Sequence, residues 1–447
     1  MRSKCGIFTW LVGSVTGLVL VCGIAGADQF HYNNMLLGDR AMGLGGAYGG
    51  VADDASGIYY NPAGLAFALS NDISGSVNIP ISSRKAVYKK AIGDKDFVER
   101  SQGSFAPFVG SIQKLDQYVD GLVGGFALYY TDTNQKDQDD LIENTPYKGN
   151  VIQRYHRAVN ERSSTYYFPA LAAGYRLMSN VAIGFGISGF TIGELVQEYQ
   201  DTQSYNPANG TVSILMQDIR QNLTAMGLEP MIGVQMAFAG RFSLGLTIKQ
   251  AIIMSESCDF NLEKRVTAVS KATSDTIDAN PGAWVNGATA NISETISYTK
   301  YKKPLGGWPF QTRLGFAWFA STRLLWTADV MYYGAVKKGE EMYKKDPVMN
   351  YATGAEYYVT PSFPLRVGLF TNNDSRPKIK SGDANKRDHI DFFGTSLFLG
   401  YSQPNSQIAV GGAVQQGNGK AQKTGGTDTQ DVEALVYTFG FAMTQVL

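Results

Sequence analysis

Phe242-Ser243-Leu244-Gly245-Leu246-Thr247-Ile248 places an apolar residue at every second position. Successive side chains of a strand point to opposite faces, so this stretch reads as a β-strand with one apolar face and one small or polar face. The pattern recurs at Ile232, Val234, Met236 and Phe238, and again at Leu314, Phe316 and Trp318. It returns at Leu324, Trp326, Val330 and Tyr332, at Leu365, Val367 and Leu369, and at Leu435, Tyr437, Phe439, Phe441 and Met443.

A soluble sandwich alternates in the same way, so the connections have to decide. Very short links join the strands in pairs, at Ser179-Asn180, Gly240-Arg241, Ser321-Thr322, Pro361-Ser362 and Pro404-Asn405, with a slightly longer one at Asp116 to Asp120. Between the pairs lie mostly longer polar segments: Ile81 to Gln102, Asp132 to Arg162, Gln200 to Met226, Asp259 to Gly307, Asn372 to Arg387 and Gly417 to Gln430. Tight turns on one side and long loops on the other describe an outer-membrane β-barrel. About fourteen strands fit from Ile73 to Val446, an even number that puts both chain ends in the periplasm. Closure also removes the sheet edges that lipid cannot satisfy. The expected fold is therefore all-β, a transmembrane antiparallel barrel over residues 71–447. One chain closes it, so a monomer in outer-membrane lipid is expected.

The N-terminus supports export. Arg2 and Lys4 precede a mostly apolar run from Ile7 to Ile24, and Ala25-Gly26-Ala27 follows. That order is a secretory signal over residues 1–27, with the mature chain starting at Asp28. Cys22 raises lipoprotein processing as an alternative, which Val21 disfavours because a small residue normally precedes a lipidated cysteine. Removal of the signal leaves Cys258 alone, so no intramolecular disulfide forms. The formal net charge is zero, which gives no electrostatic basis for a nucleic-acid partner.

Residues 28–70 do not alternate. They contain Gly38-Asp39-Arg40-Ala41-Met42-Gly43-Leu44-Gly45-Gly46-Ala47-Tyr48, then Asp53-Asp54-Ala55, then Asn61-Pro62-Ala63-Gly64. A dinucleotide fingerprint is not met, because Tyr48 holds the place of its last glycine and no strand precedes it. Asn61 before Pro62 favours a turn. Asp53 and Asp54 either pair with lumenal cations such as Arg313 or Arg366, or cap a short helix near Ala55.

The run from Gly38 to Ala66 resembles the N-terminus of the FadL family of outer-membrane hydrophobic-compound transporters, most specifically at Asp53-Asp54-Ala55 and Asn61-Pro62-Ala63. The resemblance implies a hatch inside a fourteen-stranded barrel, holding Asp53, Asp54, Asn61, Pro62, Ala63 and Gly64. It also implies a fatty acid-like hydrophobic ligand, captured between extracellular loops and released sideways near a kinked third strand.

Two further segments fit those roles. Thr211 to Met226 reads as a loop helix, since Val212, Leu215, Ile219, Leu223 and Met226 are spaced by three and four. Leu215, Ile219, Leu223 and Met226 then form a capture surface, or merely pack the loop onto the rim. Pro107 in the second strand and Gly124-Gly125 in the third are expected to interrupt their ladders and mark the lateral opening.

Catalysis is not expected. The three histidines, His31, His156 and His389, are scattered, and around Ser188 the G-x-S-x-G pattern fails at Phe190. No Cys/His cluster has metal-ligand spacing, so neither metal nor cofactor is expected. The rival roles are a shuttle for secreted proteins on the same fold, as some relatives of the family are, or a surface antigen or adhesin acting through its loops.

Overall fold

The computed structural model describes residues 29–102, 106–147, 151–206, 211–269, 291–383, 388–423 and 428–446. The expected export signal, with Cys5 and Cys22, lies outside them. No described helix is long and apolar enough to cross a membrane.

Fourteen strands close into an antiparallel barrel: β1 (Asp72–Ile92), β3 (Ala106–Lys114), β4 (Leu122–Tyr147), β5 (Val151–Met178), β6 (Val181–Asn206), β7 (Thr211–Phe238), β8 (Phe242–Gln250), β11 (Phe310–Phe319), β12 (Leu324–Tyr333), β13 (Val348–Thr360), β14 (Phe363–Asn372), β15 (His389–Gln403), β16 (Ser406–Ala421) and β17 (Gln430–Val446). The seam is β1 on β17, with Asp72 opposite Val446, so both ends of the barrel chain lie at the short-turn side. Three more strands, β2 (Lys95–Ser101), β9 (Ile252–Val269) and β10 (Asn291–Tyr301), extend the sheet at the other end.

Alternation separates the two faces as the sequence requires. Ile232, Val234 and Met236 are exposed on the exterior, whereas Gly233 and Gln235 between them are buried. Such an apolar exterior on a closed ladder is what lipid tolerates, because every backbone group finds its partner on a neighbouring strand.

Two of the long polar segments are paired strands where they are described, whereas Asn373 to Asp383 is irregular. Asp132 to Arg162 continues β4 and β5 as a paired hairpin, and Gln200 to Met226 does the same for β6 and β7. Residues with water on one face and a polar lumen on the other need no hydrophobic alternation, while the ladder bonds are indifferent to side-chain polarity. The expected helix at Thr211 to Met226 is corrected by this: the segment is the upper half of β7, paired with β6 and β9. Spacings of four residues are even, so Leu215, Ile219 and Leu223 share one strand face just as they would share a helix stripe. Met226, an odd step further on, turns to the outside and is exposed.

Residues 29–68 lie inside the barrel, and Leu69 is exposed where the chain leaves it. They include a short helix α1 (Asp39–Gly43), one turn α2 (Gly57–Tyr60) and a 3-10 turn over Pro62–Phe67. Leu37, Met42, Leu44 and Tyr48 are fully buried, and each contributes roughly 1.5–3 kcal/mol by leaving water.

Candidate ligand site and its hatch

The hatch is seated on glycine. Gly174, Gly184 and Gly233 are successive cross-strand partners on β5, β6 and β7, and all three face the Asn61-Pro62-Ala63 turn. A Cβ at Gly184 would overlap the Ala63 nitrogen, and one at Gly233 the Asn61 side chain. The girdle continues with the opposed pair Gly245 and Gly315, which meet the backbone of Gly49 and Gly50. Gly354 and Gly368, also opposed, meet that of Leu44 and Gly45. Without side chains in the way, main chain lies directly against main chain on six strands, and on β7 Gly233 makes room for the Asn61 side chain.

Local chemistry fixes the turn. The Asn61 Oδ1 accepts from the Ala63 amide at 3.1 Å, while its Nδ2 donates to the Gly49 carbonyl at 3.1 Å and to that of Val234 at 3.3 Å. Pro62 opens the 3-10 turn, where a missing N–H costs nothing. Gly64 packs against the Ala52 carbonyl, which leaves no room for a side chain.

Ion pairs hold the other side. Arg366 on β14 donates to Asp39 and to Glu356 of β13, both at 2.7 Å, and Arg40 bridges Glu356 at 3.0 Å and Asp53 at 2.8 Å. Arg313 pairs with Asp329 at 2.7 Å, whose Oδ2 also accepts the amides of Tyr48 and Gly49. The expected pairing of Asp53 or Asp54 with Arg313 or Arg366 is thus corrected, since barrel carboxylates and Asp39 have taken those cations. Asp54 instead accepts the Ser56 amide at 2.8 Å just before α2, and Tyr48 OH donates to both Asp53 and Asp54.

Above the hatch is a cavity of about 470 Å³, walled by the extended hairpins. Its cations are Arg84, Lys136, Arg157, Lys264, Arg376 and Lys423; its acids are Glu99, Glu161, Glu194, Glu198 and Asp388. Glu99 is the hub, contacted by Lys136, by Lys423 at 2.5 Å and by Arg157 at 3.8 Å. Burial alone would raise its pKa, but the three cations more than offset that and hold it well below the usual carboxylate range. Asp388 is similarly held at about 2 by Arg376, Lys423 and Arg84 against its burial. Burial and the neighbouring Arg157 push Lys423 down. Phe30, Tyr88, Val196, Ile219 and Leu262 supply the apolar part of the lining.

Of the expected capture residues, Ile219 therefore lines this cavity, Leu215 shares its face and Leu223 is buried below it, whereas Met226 belongs to the exterior. Glu99, Arg157 and Lys423 were missed. They sit in segments that read as solvated loops, and no spacing rule brings positions 99, 157 and 423 together.

The expected interruption at Gly124-Gly125 is also corrected. Both glycines pair regularly, with Gln113 and Ile112 on β3 and with Ala173 and Ala172 on β5. Gly125 serves the hatch, since a Cβ there would press on Ile58 at 3.0 Å, while Gly124 has only Leu115 nearby at 3.3 Å. Irregularity lies higher. The β3–β4 ladder stops at Phe108 opposite Tyr129, one residue after Pro107, which has no N–H to offer. Register shifts follow on β4–β5 between Ala127 and Tyr129 and between Tyr130 and Asp132, and on β1–β17 beside Tyr437. A smaller cavity of about 80 Å³ lies here, reaching from Asp132, Thr133 and Asn134 to Tyr437 and Thr438.

The histidines stand apart. His31 contacts the Ile390 carbonyl at 2.8 Å, His156 contacts Asp139 at 2.7 Å, and His389 contacts the Arg376 carbonyl at 2.7 Å. Among the described residues no group of three His, Cys, Asp or Glu could hold a metal.

No protein-family profile matches the sequence, and no curated protein does. Solved structures match in shape. A FadL homologue of Pseudomonas aeruginosa is 13% identical with a TM-score of 0.55, covering 93% of this chain and 99% of its own. The toluene transporter TodX of P. putida is 12% identical with a TM-score of 0.56, over 92% and 98%. The toluene transporter TbuX of Ralstonia pickettii is 10% identical with a TM-score of 0.56, over 93% and 99%. This chain has the FadL-type fold, a fourteen-stranded barrel.

Proposed function

We propose that the protein is a monomeric outer-membrane carrier, with both chain ends periplasmic, that takes up hydrophobic or amphiphilic small molecules such as long-chain fatty acids or aromatic compounds. Capture occurs in the cavity between the extracellular hairpins, and release occurs sideways into the membrane. The observation that carries this reading is the glycine-seated hatch: it presses main chain on main chain over six strands and buries Leu37, Met42, Leu44 and Tyr48 within the lower lumen. A polar pore has no use for such a plug.

The lateral exit belongs near Asp132 to Asn134 rather than at Gly124. Support comes from the end of the β3–β4 ladder at Phe108, the adjoining register shifts and the cavity that runs from Thr133 to Tyr437. The likeness in shape to the toluene transporters supports a small hydrophobic cargo.

Uptake of labelled palmitate, toluene and benzoate into cells lacking their own carriers tests the reading. Cells producing the protein are expected to accumulate at least one of these faster than cells without it. Equal rates for all three would refute it.

A further inference from the structure

The lining of the large cavity is hard to reconcile with a neutral hydrocarbon. Displacing water from eleven charged side chains removes hydration that toluene cannot replace. Within that lining cations outnumber acids by one, six to five, and Lys264 makes no ion pair among the described residues. Arg157 is buried, its Nε is held by Glu198 at 2.6 Å, and its Nη1 has no hydrogen-bond acceptor, with Glu99 Oε1 only at 3.8 Å. A buried guanidinium N–H without an acceptor favours a ligand oxygen.

The same lining carries an apolar strip, with Val196 between Glu194 and Glu198 and Leu262 two residues from Lys264. Val196, Ile219 and Leu262 face inward from β6, β7 and β9, and Phe30 and Tyr88 add ring faces. The space of about 470 Å³ is of the size of a small-molecule site.

We propose that the vestibule binds a compact organic anion, a carboxylate or sulfonate on an aromatic or alicyclic body, with its oxygens on Arg157 and Lys264 and its body against Ile219 and Leu262. This rests on the carrier reading above and names the class of molecule carried.

The purified full-length barrel in a neutral detergent can be titrated at pH 7 with 1-naphthoate, naphthalene and palmitate. Naphthoate is expected to bind at least about tenfold more tightly than naphthalene, and more weakly as salt rises. Arg157→Gln should lose about tenfold for naphthoate and nothing for naphthalene. Lys264→Gln, at an exposed position where folding is not at stake, should lose a few-fold in the same selective way. Naphthalene binding as tightly as naphthoate, or both variants leaving naphthoate binding unchanged, would overturn the proposal. Palmitate binding equally well through Arg157 would overturn its restriction to compact bodies. Selective naphthoate binding without any cellular uptake would support this site and refute only the carrier reading.

Discussion

A methyl group at position 245 would have nowhere to go. A Cβ there overlaps the Gly49 carbonyl, and both atoms belong to elements pinned by ladder bonds or ion pairs. Overpacking of a well-filled interior costs typically 1–3 kcal/mol, and a backbone obstacle places Gly245→Ala at or above the upper end. Gly124→Ala, where the Cβ meets only the end of the Leu115 side chain at 3.3 Å, should cost much less. Heat-modifiable mobility on gels separates the two. Equal melting of both variants would mean the hatch floats rather than sits. At Arg366 the argument is electrostatic. Arg366→Met leaves Asp39 facing Glu356 in a buried site with only Arg40 to balance them, a loss of roughly 3–5 kcal/mol. The vestibule carboxylates set a pH limit of their own. Glu99 and Asp388 have depressed pKa values, so their stabilisation is complete above the unfolded value near 4 and disappears as the pH falls through the folded one, about 2 for Asp388. Proteolytic resistance of the extracellular hairpins is therefore expected to hold from pH 7 to about 5 and to fall between about 4 and 2.

At the scale of elements, β7 shows where sequence reading works and where it fails. Its lower half, Ile232 to Phe238, separates lipid from lumen, so its alternation is plain and its strand legible. Its upper half borders water and a polar cavity, and the chance spacing of Val212, Leu215, Ile219, Leu223 and Met226 imitates a helix. The barrel, its turns and its hatch were readable because each is dictated by a local need: alternation for lipid, Gly or Pro for turns, an Asn-Pro turn for the plug. The charged cavity was not, because it is assembled from seven strands and from the segments of Arg376, Asp388 and Lys423, whose mutual register only the closed barrel defines. A labelling experiment checks the strand. Single cysteines at positions 216 to 220 should react with a bulky extracellular thiol reagent at 216, 218 and 220 and be slower at 217 and 219, a period of two. A period near 3.6 would restore the helix.

For the whole molecule the question is where matter can pass. The hatch touches the wall at glycines of β5, β6, β7, β8, β11, β13 and β14, through ion pairs to Glu356 on β13 and Arg366 on β14, and through amide hydrogen bonds to Asp329 on β12, so releasing it means breaking most of these together. The described wall is least regular elsewhere, where the β3–β4 ladder stops at Phe108 and β4 and β1 both slip register before Gln102 rejoins Gln135. Thr438 lines the smaller cavity beside that gap and not the vestibule, which makes it the place to separate capture from release. Thr438→Trp should leave ligand titration of the purified protein within about twofold, because no vestibule residue is touched, while uptake into cells falls at least about tenfold. Planar-bilayer recordings of the same two proteins should show no steady ionic conductance in either. If Thr438→Trp cells take up ligand at the normal rate, the exit is not at this gap. If the unaltered barrel conducts ions steadily, the hatch does not close the lumen.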